Sequence, residues 1–131
     1  MARILLVDDE QGILNTLSIL LKTEGHQPTP ALGAKTALKI LEQQEFDLMI
    51  SDIRMAPMNG MELLSIIHEK YPLMGVVMLT AYGQVDTAIE STQLGAFDYV
   101  KKPFRTEELL MTIEKALDYR TLLLNQASEN C

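Results

Sequence analysis

Five short apolar runs alternate with five stretches in which apolar residues recur every three to four positions. The first run, Arg3-Ile4-Leu5-Leu6-Val7, has no polar face and ends in Asp8-Asp9-Glu10. Runs of this kind are strands buried on both faces of a parallel sheet. From 11 to 24, Ile13, Leu14, Leu17, Leu20 and Leu21 form one helical stripe, which Gly25 ends. The second strand, 27–32, carries Pro28 and Pro30, which cannot donate to a ladder, so it belongs at a sheet edge. A helix over 34–43 turns Ala34, Ala37, Leu38 and Leu41 inward.

The third strand, 46–51, runs straight into Asp52 and a loop containing Pro57 and Asn59-Gly60. Asn59 suits the cap of the next helix, with Leu63, Ile66 and Ile67 inward, and Tyr71-Pro72 stops it. Residues 75–79 form the fourth strand, which ends in Thr80-Ala81. The helix over 85–94 is more polar. Only Val85, Ala88 and Ile89 make a stripe, so it is expected to pack least firmly, before Gly95. The fifth strand, 97–101, closes in Lys102-Pro103-Phe104. The last helix, 106–125, has a core stripe of Leu109, Ile113, Ala116 and Leu117, and Leu122, Leu123 and Leu124 crowd its far end. Residues 127–131 read as a frayed tail or linker. Strict alternation of strand and helix predicts an α/β fold with a parallel sheet and right-handed crossovers.

Composition narrows the setting. At 131 residues, 47% of them hydrophobic, the chain fills one domain with one core. No apolar run approaches a membrane span, and no basic-apolar leader opens the sequence. The single cysteine, Cys131, allows no internal disulfide and is expected to be inert; a cytoplasmic setting is expected. A net charge of -7 disfavours direct nucleic-acid binding and suits a divalent cation. The eight methionines read as core filler, and His26 and His68 as surface residues.

The candidate chemistry collects where the strands end, the edge at which open α/β sheets bind ligands. Asp8 and Asp9 follow strand one, Asp52 strand three, Thr80 strand four and Lys102 strand five. Singly, Asp8-Asp9 reads as a turn and Thr80 as a helix cap; together they read as a site. Three carboxylates in one place repel unless a cation joins them. A few hard oxygen ligands with room for water and phosphate describe Mg²⁺. An aspartate is an established kind of covalent nucleophile, and phosphoryl transfer needs mainly positioning and charge neutralisation. Asp52 is therefore expected to accept a phosphoryl group. Asp8 and Asp9 would hold the metal, Lys102 and Thr80 would meet phosphoryl oxygens, and the Ala81 N–H would add a donor.

The set Asp8-Asp9, Asp52, Thr80-Ala81 and Lys102-Pro103-Phe104 resembles the receiver domain of bacterial two-component response regulators, over about residues 3–117. The resemblance implies a flavodoxin-like, doubly wound five-stranded parallel sheet of order 2-1-3-4-5 with five helices. It implies that Asp52 takes its phosphoryl group from a phosphohistidine on a sensor histidine kinase. Asp9, Asp52 and the backbone carbonyl of Arg54 would hold Mg²⁺, with Asp8 acting partly through water. Tyr99 matches the family's rotamer-switching aromatic, Arg54 and Tyr82 line the site entrance, and Lys102-Pro103 is a cis peptide. The receiver would occupy 1–120, and 121–131 would be a helical extension or truncated linker. The family often has proline directly after the methionine matching Met55, whereas here Ala56 intervenes before Pro57.

Leu79-Thr80-Ala81-Tyr82-Gly83 and Gly95-Ala96-Phe97-Asp98-Tyr99 resemble receivers of the NtrC-like activators of alternative-sigma-factor promoters. That branch implies an AAA+ and DNA-binding output, hence control of transcription. The leucines at 122–124 predict a homodimer contact or a helical connection onward. Two other readings compete. An aspartate-nucleophile phosphohydrolase resembles Asp-x-Asp at its nucleophile, but Arg54 stands where the second acid belongs. An unphosphorylated interaction module has no need of the five strand-end groups. The expectation is a signalling receiver that promotes transfer to its own aspartate, not an enzyme in the usual sense.

Overall fold

A computed structural model describes residues 2–81 and 85–129; Tyr82, Gly83 and Cys131, singled out above, lie outside them, as do the side chains of 85–88 and 127–129. The elements are β1 (Arg3–Asp8), α1 (Gln11–Thr23), β2 (Gln27–Leu32), α2 (Ala34–Leu41), β3 (Leu48–Asp52), α3 (Gly60–Lys70), β4 (Gly75–Thr80), α4 (Val85–Gln93), β5 (Asp98–Lys101) and α5 (Thr106–Glu129). All strand pairs are parallel, in the order β2-β1-β3-β4-β5. The doubly wound sheet expected from the resemblance is the one observed.

Alternation along the strands divides the core in two. Ile4, Leu6, Leu48, Ile50, Leu79 and Val100 meet Leu14, Leu17 and Leu21 of α1 and Leu109, Ile113 and Ala116 of α5. Leu5, Val7, Met49 and Met78 meet Ala37 and Leu41 of α2 and Leu63, Leu64 and Ile67 of α3. The strands are apolar on both faces because both faces are covered.

Several details differ from the sequence reading. On α3 the buried set is Gly60, Leu63, Leu64 and Ile67, so Leu64 takes the inward place expected for Ile66. Ile89 is 46% exposed, and among the described side chains of that helix the buried one is Ser91. Met49 and Met78 are fully buried, whereas Met111 is exposed on α5. His26 is half-buried, and its Nδ1 accepts from the Ala2 N–H at 3.2 Å. Helix α5 continues to Glu129, past the expected end at 125 and into the tail read as frayed.

β3 begins two residues later than expected because Asp47 serves as a junction. Its N–H donates to the Arg3 carbonyl at 2.8 Å, and its Oδ2 accepts from the Arg3 N–H at 2.9 Å. Its carbonyl accepts from the Gly75 N–H at 3.2 Å, and its Oδ1 pairs with Arg120 Nη1 at 3.2 Å. This one residue, through backbone and side chain together, ties α5 to the amino ends of β1 and β4.

Candidate functional site

Register brings the chemistry to one rim. Val7 lies beside Ser51, Asp52 beside Leu79, and Thr80 beside Lys101. The carboxyl ends of β1, β3, β4 and β5 therefore align, and Asp8, Asp52, Thr80 and Lys102 converge at the edge that the alternating pattern predicts. Asp8 and Thr80 are fully buried and Asp52 is nearly so, whereas Asp9 is exposed.

One carboxylate oxygen each from Asp8, Asp9 and Asp52 lies within 4.8 Å of the others. Lys102 Nζ reaches between two of them, 3.2 Å from Asp8 Oδ2 and 3.5 Å from Asp52 Oδ1. Asp8 also accepts, through Oδ1, from the Glu10 N–H at 3.0 Å. This bond supports the turn into α1, as the plain turn reading of Asp8 expects. Burial pushes the Asp52 carboxyl above the ordinary carboxylate range, the Asp8 charge pushes the same way, and Lys102 opposes both. The three hard oxygen donors, two of them buried, fit a small divalent cation of the Mg²⁺ type.

The other expected site residues are arranged as follows. The Lys102 N–H donates to the Thr80 carbonyl at 2.7 Å, which joins the ends of β4 and β5, and Lys102-Pro103 is cis as expected. Thr80 Oγ1 donates to the Ala81 carbonyl at 3.3 Å. Arg54 has an exposed side chain in the loop directly after Asp52. That loop contains a second cis peptide, Ala56-Pro57, which accompanies the shifted proline. Tyr99 is not brought to the acids. It lies beside Met78 on β4, half-buried against the α2–α3 half of the core.

Two neighbours of Asp52 escaped sequence reasoning. The Ser51 hydroxyl donates to the Asp52 carbonyl at 3.0 Å, inside the protein. The Gly60 Cα faces the same carbonyl, and a Cβ there would collide with it and lie 2.8 Å from Ile53 Cα. Asn59-Gly60 signalled only a turn and a cap. The cap is present as a full capping box, with Asn59 Oδ1 accepting from the Glu62 N–H at 2.9 Å and Glu62 returning to the Asn59 N–H at 3.2 Å. Two cavities of about 650 and 450 Å³ open near the amino ends of β3 and β4, and neither is lined by the strand-end acids.

Residues 4–114 match the response regulator receiver domain family. A putative NtrX-like response regulator of Rickettsia bellii is 36% identical over 91% of this chain and 25% of its own length. The alginate biosynthesis transcriptional regulatory protein AlgB of Pseudomonas aeruginosa is 41% identical over 92% of this chain and 27% of its own. The chain thus spans about a quarter of the length of these curated relatives. The crystal structure of NtrX from Brucella abortus superposes with a TM-score of 0.93 at 32% identity, over 96% of this chain and 29% of that one. A receiver domain protein from Clostridium thermocellum superposes with a TM-score of 0.89 at 34% identity, over 94% and 99%. With nearly all of its length matched in sequence and in fold, this chain belongs to the response regulator receiver domain family.

Proposed function

We propose that Asp52 is the phosphoryl acceptor of this receiver and that a sensor histidine kinase is the donor. The observation that carries this reading is a nearly buried carboxylate at a strand end, with Lys102 Nζ 3.5 Å away and two further carboxylates beside it. A carboxylate oxygen of Asp52 attacks phosphorus, the phosphorus–nitrogen bond of the donor phosphohistidine breaks, and its electron pair returns to the imidazole. The product is an acyl phosphate on Asp52. Asp8, Asp9, Asp52 and the Arg54 carbonyl would hold Mg²⁺, which when bound neutralises phosphoryl oxygens and relieves the repulsion among the acids. Lys102 moves from its carboxylate partners toward the new phosphoryl group. The Thr80 hydroxyl and the Ala81 N–H supply further donors.

The added charge of about -2 and its three acceptor oxygens bias a two-state change. Thr80 shifts toward the phosphoryl group, Tyr99 turns into the space behind it, and α4 repacks. The receiver proper would occupy 1–120 and the rest of α5 an extension toward an output. The names of the relatives, NtrX-like and transcriptional regulatory, favour a cytoplasmic regulator with an AAA+ and DNA-binding output that acts on transcription. Among the described residues no helix is long and apolar enough to cross a membrane. The exposed Leu122, next to Leu123 and Leu124, favours a homodimer through α5.

The test is intact mass after incubation with acetyl phosphate. The natural chain is expected to gain one phosphoryl group with Mg²⁺ and almost none without it. Asp52→Asn is expected to gain none. Unchanged labelling of Asp52→Asn would move the acceptor elsewhere. A natural chain unlabelled by both acetyl phosphate and a phosphohistidine donor would end the proposal.

A further inference from the structure

Ser51 is a polar residue in a place that needs none. It is fully buried, and strand alternation puts it on the same face as Met49, in the α2–α3 half of the core. An alanine there would avoid the cost of burying a hydroxyl. That hydroxyl donates to the Asp52 carbonyl at 3.0 Å.

The carbonyl it meets is held from several directions. The Gly60 Cα closes one side, with no room for a Cβ. The same peptide group is held at its other end through the Ile53 N–H, and the following one through the Ile53 carbonyl. The Ile53 N–H donates to the Leu79 carbonyl at 3.1 Å, and the Ile53 carbonyl accepts from the Gly60 N–H at 2.8 Å. The carbonyl direction fixes ψ of Asp52, and between pinned neighbours this sets the tilt of the Cα–Cβ bond from which the Asp52 carboxylate reaches out. The Ser51 hydroxyl is the one group in this frame that a side-chain change removes without disturbing the ladder.

We propose that Ser51 is a positioning residue for the phosphoryl acceptor: its hydroxyl fixes the Asp52–Ile53 peptide plane and so aims the Asp52 carboxylate at Asp8 and Lys102. Ser51 touches neither the incoming phosphorus nor the cation. It acts through the backbone of its neighbour, and small misplacements of a reacting group are costly in rate. The inference rests on Asp52 being the acceptor.

The experiment compares the natural chain with Ser51→Ala, Ser51→Thr and Ser51→Cys. Three quantities are read: the acetyl phosphate labelling rate at saturating Mg²⁺, the hydrogen exchange of the Ile53 amide without metal, and the urea midpoint. Ser51→Ala is expected to keep its midpoint, to label about tenfold more slowly, and to lose protection at Ile53. Ser51→Thr, which keeps the hydroxyl, is expected to restore rate and protection. Ser51→Ala labelling at the natural rate, or Ser51→Thr slowed as much as Ser51→Ala, would overturn the inference. Should Ser51→Ala fail to fold, Ser51→Cys decides: it matches serine in shape but donates weakly, so slow labelling supports the role and natural labelling refutes it. A natural chain that takes no phosphoryl group removes the acceptor and this inference together. A labelled natural chain with an indifferent Ser51→Ala removes the inference alone.

Discussion

Asp52 is ionised at a cost. Burial is the main reason that its carboxyl is raised from 3.8, and Asp8 adds to it. Between the unfolded and the raised folded value, the native state binds more protons than the unfolded chain. Stability therefore falls as pH rises through that window, and the penalty is complete above the folded value. Asp52→Asn removes the penalty while leaving Lys102 paired with Asp8. In metal-free buffer its denaturation midpoint is expected to exceed that of the natural chain at pH 7, with the gap closing below pH 3.8. Urea titrations across pH check this, and a less stable variant at pH 7 would show that Lys102 outweighs burial. The acids and Lys102 were legible in the sequence because each stands within two residues of the end of an apolar run. Ser51 and Gly60 were not. Their importance comes from the path of the loop between 52 and 60, which folds Gly60 back onto the strand end, and no periodicity records that path.

Among the elements, those with one clear stripe were read correctly, and those with too many or too few apolar residues were not. α1 offered a single stripe, of which Leu14, Leu17 and Leu21 are buried and Ile13 and Leu20 half-buried. α3 offers Met61, Leu63, Leu64, Ile66 and Ile67, more than one face holds, and the packing selects 60, 63, 64 and 67. α4 has few apolar residues, and of its expected stripe the one described side chain, Ile89, faces outward while the small Ser91 is buried. The end of α5 lay beyond a pattern argument because its later ties are partial and mixed, with Tyr119 against Phe97 and Leu123 and Leu124 half-buried. After Ala116 no residue of α5 is fully buried among those whose side chains are described, and Arg120 clasps Asp47. Both partners are partly exposed, with side-chain exposures of 24% and 34%, so Arg120→Ala is expected to cost about 1 kcal/mol or less in global stability. Its local effect is expected to be larger. Amides after 117 should exchange several-fold faster while those at 109–116 stay unchanged, as hydrogen exchange would report. Uniform protection along α5 in the variant would show that the clasp anchors nothing.

For the whole molecule, a net charge of -7 opposes self-association through any broad surface, so a dimer needs a concentrated apolar contact. Leu122, 52% exposed on α5, is the candidate. Light scattering is expected to give a dimer at high concentration for the natural chain and a monomer for Leu122→Glu, with the fold unchanged by circular dichroism. A natural chain that stays monomeric, phosphorylated or not, would rule this contact out. The outer rim of the sheet points the same way. The Gln27 N–H of β2 faces β1, where it donates to the Ala2 carbonyl. By alternation the nitrogens of Pro28 and Pro30 face outward, where an added strand would look for hydrogens. The exposed side of β2 thus has acceptors but no donors at these two positions, and a foreign strand laid along it would leave its own carbonyls unmatched there. The sheet is sealed against lengthening on that side. Crowded copies of this domain are steered away from strand-by-strand growth at that rim, which leaves an encounter between two of them to the helices or to the opposite edge.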